Sequence, residues 1–226
     1  MDLHHRLDRE RAYWLQEQPA PASAVEIMAM DYLRGLGIEG RALRVGERAP
    51  GFRLPDAQGR SVDLDSLRLQ GPTVVLFYRG HWCPFCSMTL RSYQAVAERF
   101  AALRSPVVAI SPQGPAASTL SQQQLGGAIP LLSDLGSHVA RAYGLAYDLP
   151  AGLKSLFEGE YATPLPEINS DGGWSLPVSA TYVIGENGIV LRAHVDVDYR
   201  RREDPAELLA WLAAHHAQAP TAGVET

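Results

Sequence analysis

The only two cysteines of this chain, Cys83 and Cys86, stand three residues apart just behind an unbroken apolar run, Val74-Val75-Leu76-Phe77-Tyr78. A short apolar run without alternation predicts a strand covered on both faces, hence central in a sheet. The next residues, Arg79-Gly80-His81-Trp82, read as a turn, and Pro84 suits the first position of a helix because its fixed φ and missing N–H cost nothing there. A strand, a turn and a helix start therefore fix where the cysteines sit: Cys83 at the N-cap and Cys86 at N3.

That placement has chemical consequences. A free thiol has a pKa of about 8.5, and only the thiolate is a good nucleophile. A helix start carries unpaired amides and roughly half a positive charge, so both thiols are expected to be acidified, with Arg79 and His81 nearby in sequence. Residues i and i+3 on a helical turn have Cα atoms about 5–6 Å apart, within reach of a disulfide. The pair therefore reads as a redox-active dithiol that opens and closes, with Trp82 and Pro84 flanking the first sulfur. Alternatives are half of a zinc site, a permanent disulfide, and two inert buried thiols. Zinc lacks a second Cys-x-x-Cys, although His81, His4-His5 and His215-His216 are available. A permanent disulfide closing so short a loop would stabilise little.

The rest of the chain supplies a body. Residues 1–44 read as a helical arm. Leu7, Trp14 and Leu15 share a face, and a capping pair at Ser23 and Glu26 leads into a stripe of Val25, Met28, Tyr32 and Leu36. Asp56 to Gly59 is expected to turn a hairpin. A helix is expected from Pro84 to about Leu103, a strand at Val107–Ile110, a helix from Pro115, a strand near Ile129–Leu132 and a helix around Ser137–Tyr143. Residues 149–174 read as an inserted loop holding one short helix. Thr181–Ile184 and Ile189–Leu191 flank Asn187-Gly188, a strong hairpin signal. Asp204-Pro205-Ala206-Glu207 opens the last helix, and the tail from 217 to 226 reads as disordered. The order β-α-β, helix, antiparallel hairpin, helix predicts an α/β thioredoxin-like fold over 45–216: a central mixed sheet flanked by helices, with an N-terminal arm and an insertion before the hairpin.

Composition excludes some functions. A net charge of −5 and a sequence pI near 5.8 give no basic face for nucleic acid. No run of apolar residues is long enough to span a membrane, and the N-terminus carries charges where a signal peptide needs an apolar stretch. The expected compartment is the cytoplasm, where a lone Cys-x-x-Cys points to catalysis. Asp196 and Asp198 read as a solvated strand face, His81 as a solvated turn residue, and Arg79 either as a site residue or as an exposed surface arginine.

Four stretches in order resemble the peroxiredoxin-like branch of the alkyl hydroperoxide reductase/thiol-specific antioxidant family. They are Gly46-Glu47-Arg48-Ala49-Pro50-Gly51-Phe52-Arg53-Leu54, the strand with its cysteines, Leu132-Ser133-Asp134 followed by Ala142-Tyr143-Gly144, and Leu176 to Ile184 running into Asn187-Gly188. The resemblance covers roughly 45–212. It implies a thiol enzyme acting on a peroxide or disulfide substrate and re-reduced by a thioredoxin- or glutaredoxin-like donor; separately, no cofactor and no metal are expected. The arm makes a homodimer one option.

The departures from the family are specific. Arg79 stands where the family motif has proline, Cys83 where it has threonine, and Cys86 where it has the peroxide-attacking cysteine. Ser179 stands at the family's second arginine, and Phe77 where thioredoxins bury an acid. The family names Cys86 as attacker, whereas helix position and expected exposure favour Cys83. A thiol-disulfide oxidoreductase and a non-enzymatic redox-sensing module are the competing functions.

Overall fold

The computed structural model describes residues 3–17 and 20–218. The side chains of Trp14, Leu15, Ser23, Val25 and Glu26, and the tail from 219 to 226, lie outside the described set. Helices α1 (Leu3–Glu17), α2 (Ala20–Gly35) and the single turn α3 (Ile38–Arg41) lead into a hairpin, β1 (Arg53–Pro55) with β2 (Ser61–Asp63). Its turn is held by Asp56, whose carboxylate accepts from the amides of Gln58 and Arg60. A short helix α4 (Leu64–Arg68) follows, then β3 (Thr73–Phe77), α5 (Pro84–Gln94), α6 (Ala97–Ala102), β4 (Val107–Ser111), α7 (Pro115–Leu125), β5 (Leu131–Ser133) and α8 (His138–Ala142). Beyond them come β6 (Ala146–Asp148), α9 (Ala151–Glu158), α10 (Leu165–Ile168), β7 (Ser175–Pro177), β8 (Ala180–Ile184), β9 (Val190–Val195) and α11 (Pro205–Gln218).

The main sheet has the order β5-β4-β3-β8-β9. Strands β3, β4 and β5 run parallel, and β8 and β9 add antiparallel. Every residue of β3 is buried, as its unbroken apolar run required. Successive side chains of a strand face opposite ways. Val74, Leu76 and Tyr78 therefore join the core formed with Phe85, Leu90, Tyr93 and Leu208. Val75 and Phe77 join the second core with Phe52, Tyr143 and Tyr182. The result is the expected mixed sheet between helical layers.

Four local expectations are corrected. The helix from Pro84 ends at Gln94, and a second starts at Ala97. The apolar spacing carries on across the break, so periodicity alone reads one helix, yet the bend stacks Phe100 on Tyr93 with centroids 5.7 Å apart. In the arm, Ser23 falls inside α2, which starts at Ala20 rather than after Ser23. The face of α2 that packs inward carries Ala29, Met30 and Leu33, while Met28 is 71% exposed. The stripe through Met28 and Tyr32 was one residue out of phase, a small rotation for a helix that is apolar on several sides. Finally, residues 149–174 are not a loop with one helix. They hold α9 and α10, closed at the base by the antiparallel pair β6 and β7.

These segments place the arm and the insertion against the cysteine-bearing helix. Leu3 and Leu7 of α1 are buried, and Arg6 donates to Ser92 Oγ of α5 at 3.0 Å. The Leu3 amide donates to Asp204 Oδ2 at 3.0 Å. Asp204 also accepts from the Ala206 amide at 2.7 Å, so one carboxylate caps α11 and anchors the arm. No helix among the described residues is long and apolar enough to cross a membrane.

Candidate active site

The strand-turn-helix geometry holds to the residue. Cys83 is the N-cap of α5, Pro84 opens the helix, and the Cys86 amide donates to Cys83 Sγ at 3.4 Å. Both cysteines are free, and both are buried, with exposures of 0% and 1%. The expected exposure of Cys83 is therefore corrected: both cysteines belong to the buried core that also holds Phe85, Phe157 and Tyr199.

The turn between strand and helix is built for this closure. Gly80 has φ +155°, and a Cβ on it would fall 2.4 Å from Trp82 Nε1. Only glycine lets the Trp82 ring fold back over the turn, where it meets Phe157 of α9 edge to face at 5.0 Å. Underneath, Gln113 is fully buried, and its Oε1 accepts from the His81 amide at 3.0 Å and from His81 Nδ1 at 3.2 Å. Its Nε2 donates to Tyr78 Oη at 3.1 Å and to Ser121 Oγ at 3.0 Å. His81 is therefore a half-buried turn residue whose ring and amide are both held on Gln113. A glutamine oxygen only accepts, so this contact fixes the proton on Nδ1.

Arg79 is not a surface residue. Its Nη2 donates to Cys83 Sγ at 3.1 Å. Its guanidinium lies over Tyr199 at 3.9 Å and near Trp82 at 5.1 Å. Arg202 enters from the segment between β9 and α11, is 5% exposed, and points Nη2 at Cys86 Sγ across 3.7 Å. Two guanidiniums thus face two sulfurs.

Burial pushes both thiols up, and two thiolates side by side would repel. The pair therefore holds one negative charge. For Cys86, the hydrogen bond from Cys83 and the charges of Arg202 and Arg79 outweigh burial and hold its thiol well below the ordinary range. For Cys83, burial and its hydrogen bond to Cys86 raise the thiol well above that range. The close Arg79 contact with Cys83 pulls the other way. Both sulfurs feel both guanidiniums, and Cys86 takes the charge because Cys83 keeps its proton and turns it toward Cys86. The expectation that both thiols are acidified is corrected accordingly.

A cavity of about 220 Å³ opens beside the pair, lined by Arg79, Trp82, Phe85, Phe157, Tyr161 and Tyr199 among others. A larger cavity, of about 610 Å³, lies at the opposite end of the sheet beside Leu69, Arg104 and Pro106, far from the sulfurs.

All the sequence candidates, Cys83, Cys86, Arg79, Trp82 and Pro84, meet here. Arg202, Gln113, Tyr147, Phe157 and Tyr199 were not anticipated. Ser179 is buried, and its hydroxyl has no protein partner among the described residues. The peptide bonds of the described residues are all trans. Phe77 packs between Tyr143 and Tyr182, so the place of a buried acid is taken by aromatic core. The stretch from Asp196 is not a solvated strand face, since β9 ends at Val195 and Asp198 pairs with Arg200 at 2.6 Å. Among the described residues no cluster of three His, Cys, Asp or Glu could hold a metal.

A dithiol at a helix start, carried on a mixed sheet that ends in an antiparallel hairpin, defines a thiol protein of the thioredoxin fold. The sequence profile of the AhpC/TSA family matches residues 45–193. The chain belongs to the AhpC/TSA family. It is 33% identical over 155 residues to a Mycobacterium tuberculosis protein assigned to the peroxiredoxins, covering 69% of this chain and 87% of that one. It is 28% identical over 145 residues to the chloroplastic peroxiredoxin Q of Oryza sativa subsp. japonica, covering 64% of this chain and 56% of that protein's length. Among solved structures, the peroxidoxin BcpB of Mycobacterium tuberculosis superposes with a TM-score of 0.60 at 24% identity, covering 76% of this chain and 97% of that one. Peroxiredoxin Q of Xanthomonas campestris gives 0.54 at 18% identity, covering 73% and 90%. These two establish fold likeness.

Proposed function

We propose that this protein is a thiol peroxidase that reduces hydrogen peroxide or an organic hydroperoxide through a Cys83–Cys86 dithiol/disulfide cycle. The observation that carries it is the sulfur pair held under two guanidiniums, Arg79 Nη2 at 3.1 Å from Cys83 Sγ and Arg202 Nη2 at 3.7 Å from Cys86 Sγ, with a cavity alongside. The family and the peroxiredoxin relatives support the same reading.

In the first step the Cys86 thiolate attacks one peroxide oxygen. The S–O bond forms as the O–O bond breaks, and the departing alkoxide or hydroxide takes a proton, leaving Cys86 as a sulfenic acid. Arg79, the polar group lining the cavity nearest the sulfurs, stabilises the charge that develops on the leaving oxygen. Cys83, one helical turn away, then attacks the sulfenic sulfur, and water leaves as the disulfide forms. Two thiols of a thioredoxin- or glutaredoxin-like donor restore the dithiol. Because both sulfurs are buried, that donor requires the first turn of α5 to open. The same burial favours a small peroxide over a protein disulfide as substrate. The cytoplasm, which keeps free thiols reduced, is the compartment this chemistry suits.

Stopped-flow oxidation of the pre-reduced protein tests the assignment. Rapid reaction with hydrogen peroxide or cumene hydroperoxide is expected, lost in Cys86→Ser and retained in Cys83→Ser, which should stop at the sulfenic acid. Reaction no faster than that of free cysteine would remove the peroxidase. A protein disulfide that reacts faster than either peroxide would establish the oxidoreductase instead. Slow turnover with a redox-dependent change of assembly would point to a sensing module.

A further inference from the structure

We propose that Arg202 is a second catalytic cation of this site: it is the counter-ion of the Cys86 thiolate and, with Arg79, makes the reduced pair the favoured redox state. Burying a cation is costly unless an anion or well-placed acceptors meet it. Arg202 is 5% exposed, and its acceptors are the Arg201 carbonyl at 2.8 Å and Cys86 Sγ at 3.7 Å. Every carboxylate of its own segment is turned elsewhere. Asp196 faces Arg201, and Asp198 is held by Arg200. Glu203 takes Arg192 at 2.6 Å and faces His194, while Asp204 caps α11 and binds the Leu3 amide. Neither Arg202 nor Arg79 forms an ion pair with a carboxylate among the described residues. A neutral thiol is a weak acceptor. The anion that matches these two guanidiniums is therefore a thiolate of the pair.

The groups facing Cys86 come from each element packed on it: Cys83 on α5, Arg79 and Tyr78 at the end of β3, Tyr147 on β6, and Arg202 itself. The two phenols are pushed above their ordinary value by burial, so they stay neutral wherever Cys86 titrates. The negative charge of the reduced pair vanishes on oxidation. The Cys86 thiolate attacks one sulfur of oxidised glutathione and expels a glutathione thiolate. Cys83 then attacks the mixed disulfide, the second glutathione leaves, and the Cys83 proton passes to it. The enzyme loses two electrons and glutathione disulfide gains them. The product disulfide leaves the buried Arg202 and the half-buried Arg79 with no anion, so it is a ready electron acceptor, by the same logic that makes oxidising those disulfides whose reduced form is stabilised.

The kinetic part of this inference rests on the peroxidase reading, but the equilibrium part does not. Three measurements on the full chain test it: the thiolate absorbance near 240 nm against pH, the equilibrium with glutathione buffers, and kcat/KM for hydrogen peroxide. The wild-type thiolate midpoint is expected below the roughly 8.5 of a free thiol. Arg202→Gln should raise it by about one unit, shift the glutathione equilibrium about tenfold toward the disulfide, equivalent to about −30 mV, and lower kcat/KM at least tenfold. Arg202→Lys, which keeps the charge without the fork, should retain part of each. A wild-type midpoint at or above 8.5 overturns the inference without any variant. So does a folded Arg202→Gln with unchanged midpoint and equilibrium, or an Arg202→Lys as impaired as Arg202→Gln. If the midpoint and equilibrium move while no peroxide is reduced, Arg202 keeps its role and the peroxidase falls. If peroxide turnover is fast but neither equilibrium readout moves in Arg202→Gln, the peroxidase stands and this inference falls.

Discussion

Replacing Gln113 by Leu removes the support under the active-site turn while nearly preserving volume. The side chain is fully buried and ties three segments together, accepting twice from His81 and donating to Tyr78 and to the serines of α7. Two protons on Nε2 and two acceptances at Oε1 make four bonds, each worth about 1 kcal/mol net. The stranded partners are only partly orphaned. Ser118 keeps Ser133 at 3.0 Å, and Ser121 keeps the Ala117 carbonyl at 2.8 Å. The half-buried His81 amide can find water. The expected loss is therefore about 3–4 kcal/mol, a large share of the 5–15 kcal/mol that a domain has to spare. In urea this should bring the unfolding midpoint down by about 1 M or more. The His81 amide should exchange faster with solvent than in the wild type, and peroxide turnover should fall because the turn also carries Arg79. A loss below about 1 kcal/mol with unchanged His81 exchange would show that the turn holds its shape without Gln113 and would refute the reasoning.

Further outcomes follow from the same contacts. Gly80→Ala places a methyl group on the Trp82 indole at a positive φ, and should cost about 1–3 kcal/mol and lower peroxide turnover, with a change in Trp82 fluorescence as the ring leaves Phe157. Asp204→Ala removes both a helix cap and the anchor of the arm, so thermal stability should fall by about 1–2 kcal/mol and exchange protection in α1 should drop. Because the Cys86 thiol is held low, the negative form is present above its depressed value and is lost as pH falls through it. Alkylation of Cys83→Ser by iodoacetamide should therefore vary little between pH 7 and 9, whereas free cysteine gains reactivity there; a profile that follows free cysteine would contradict the charge assignment.

The sequence by itself determined the centre of this protein. A two-sided apolar strand can only be buried, proline can open a helix but not continue a strand, and those local facts put Cys83 at the N-cap and Cys86 one turn on. The Asn187-Gly188 hairpin and the Asp204 cap were legible for the same reason, since their physics lies within a few neighbouring residues. What the tertiary structure alone decided is everything that depends on which side of an ambiguous segment turns inward. Nothing local marks Arg202 within Arg200-Arg201-Arg202-Glu203-Asp204, yet it is buried against Cys86 while Arg200 pairs with Asp198 and Glu203 with Arg192. The inserted segment looked like a loop because its apolar residues are few, but Leu153 and Phe157 are enough to seat α9 over the site. The acidities of the two thiols divide for a reason no local pattern contains. Burial, an arginine from a distant segment and one shared proton act together on two sulfurs that the sequence alone expected to be acidified alike.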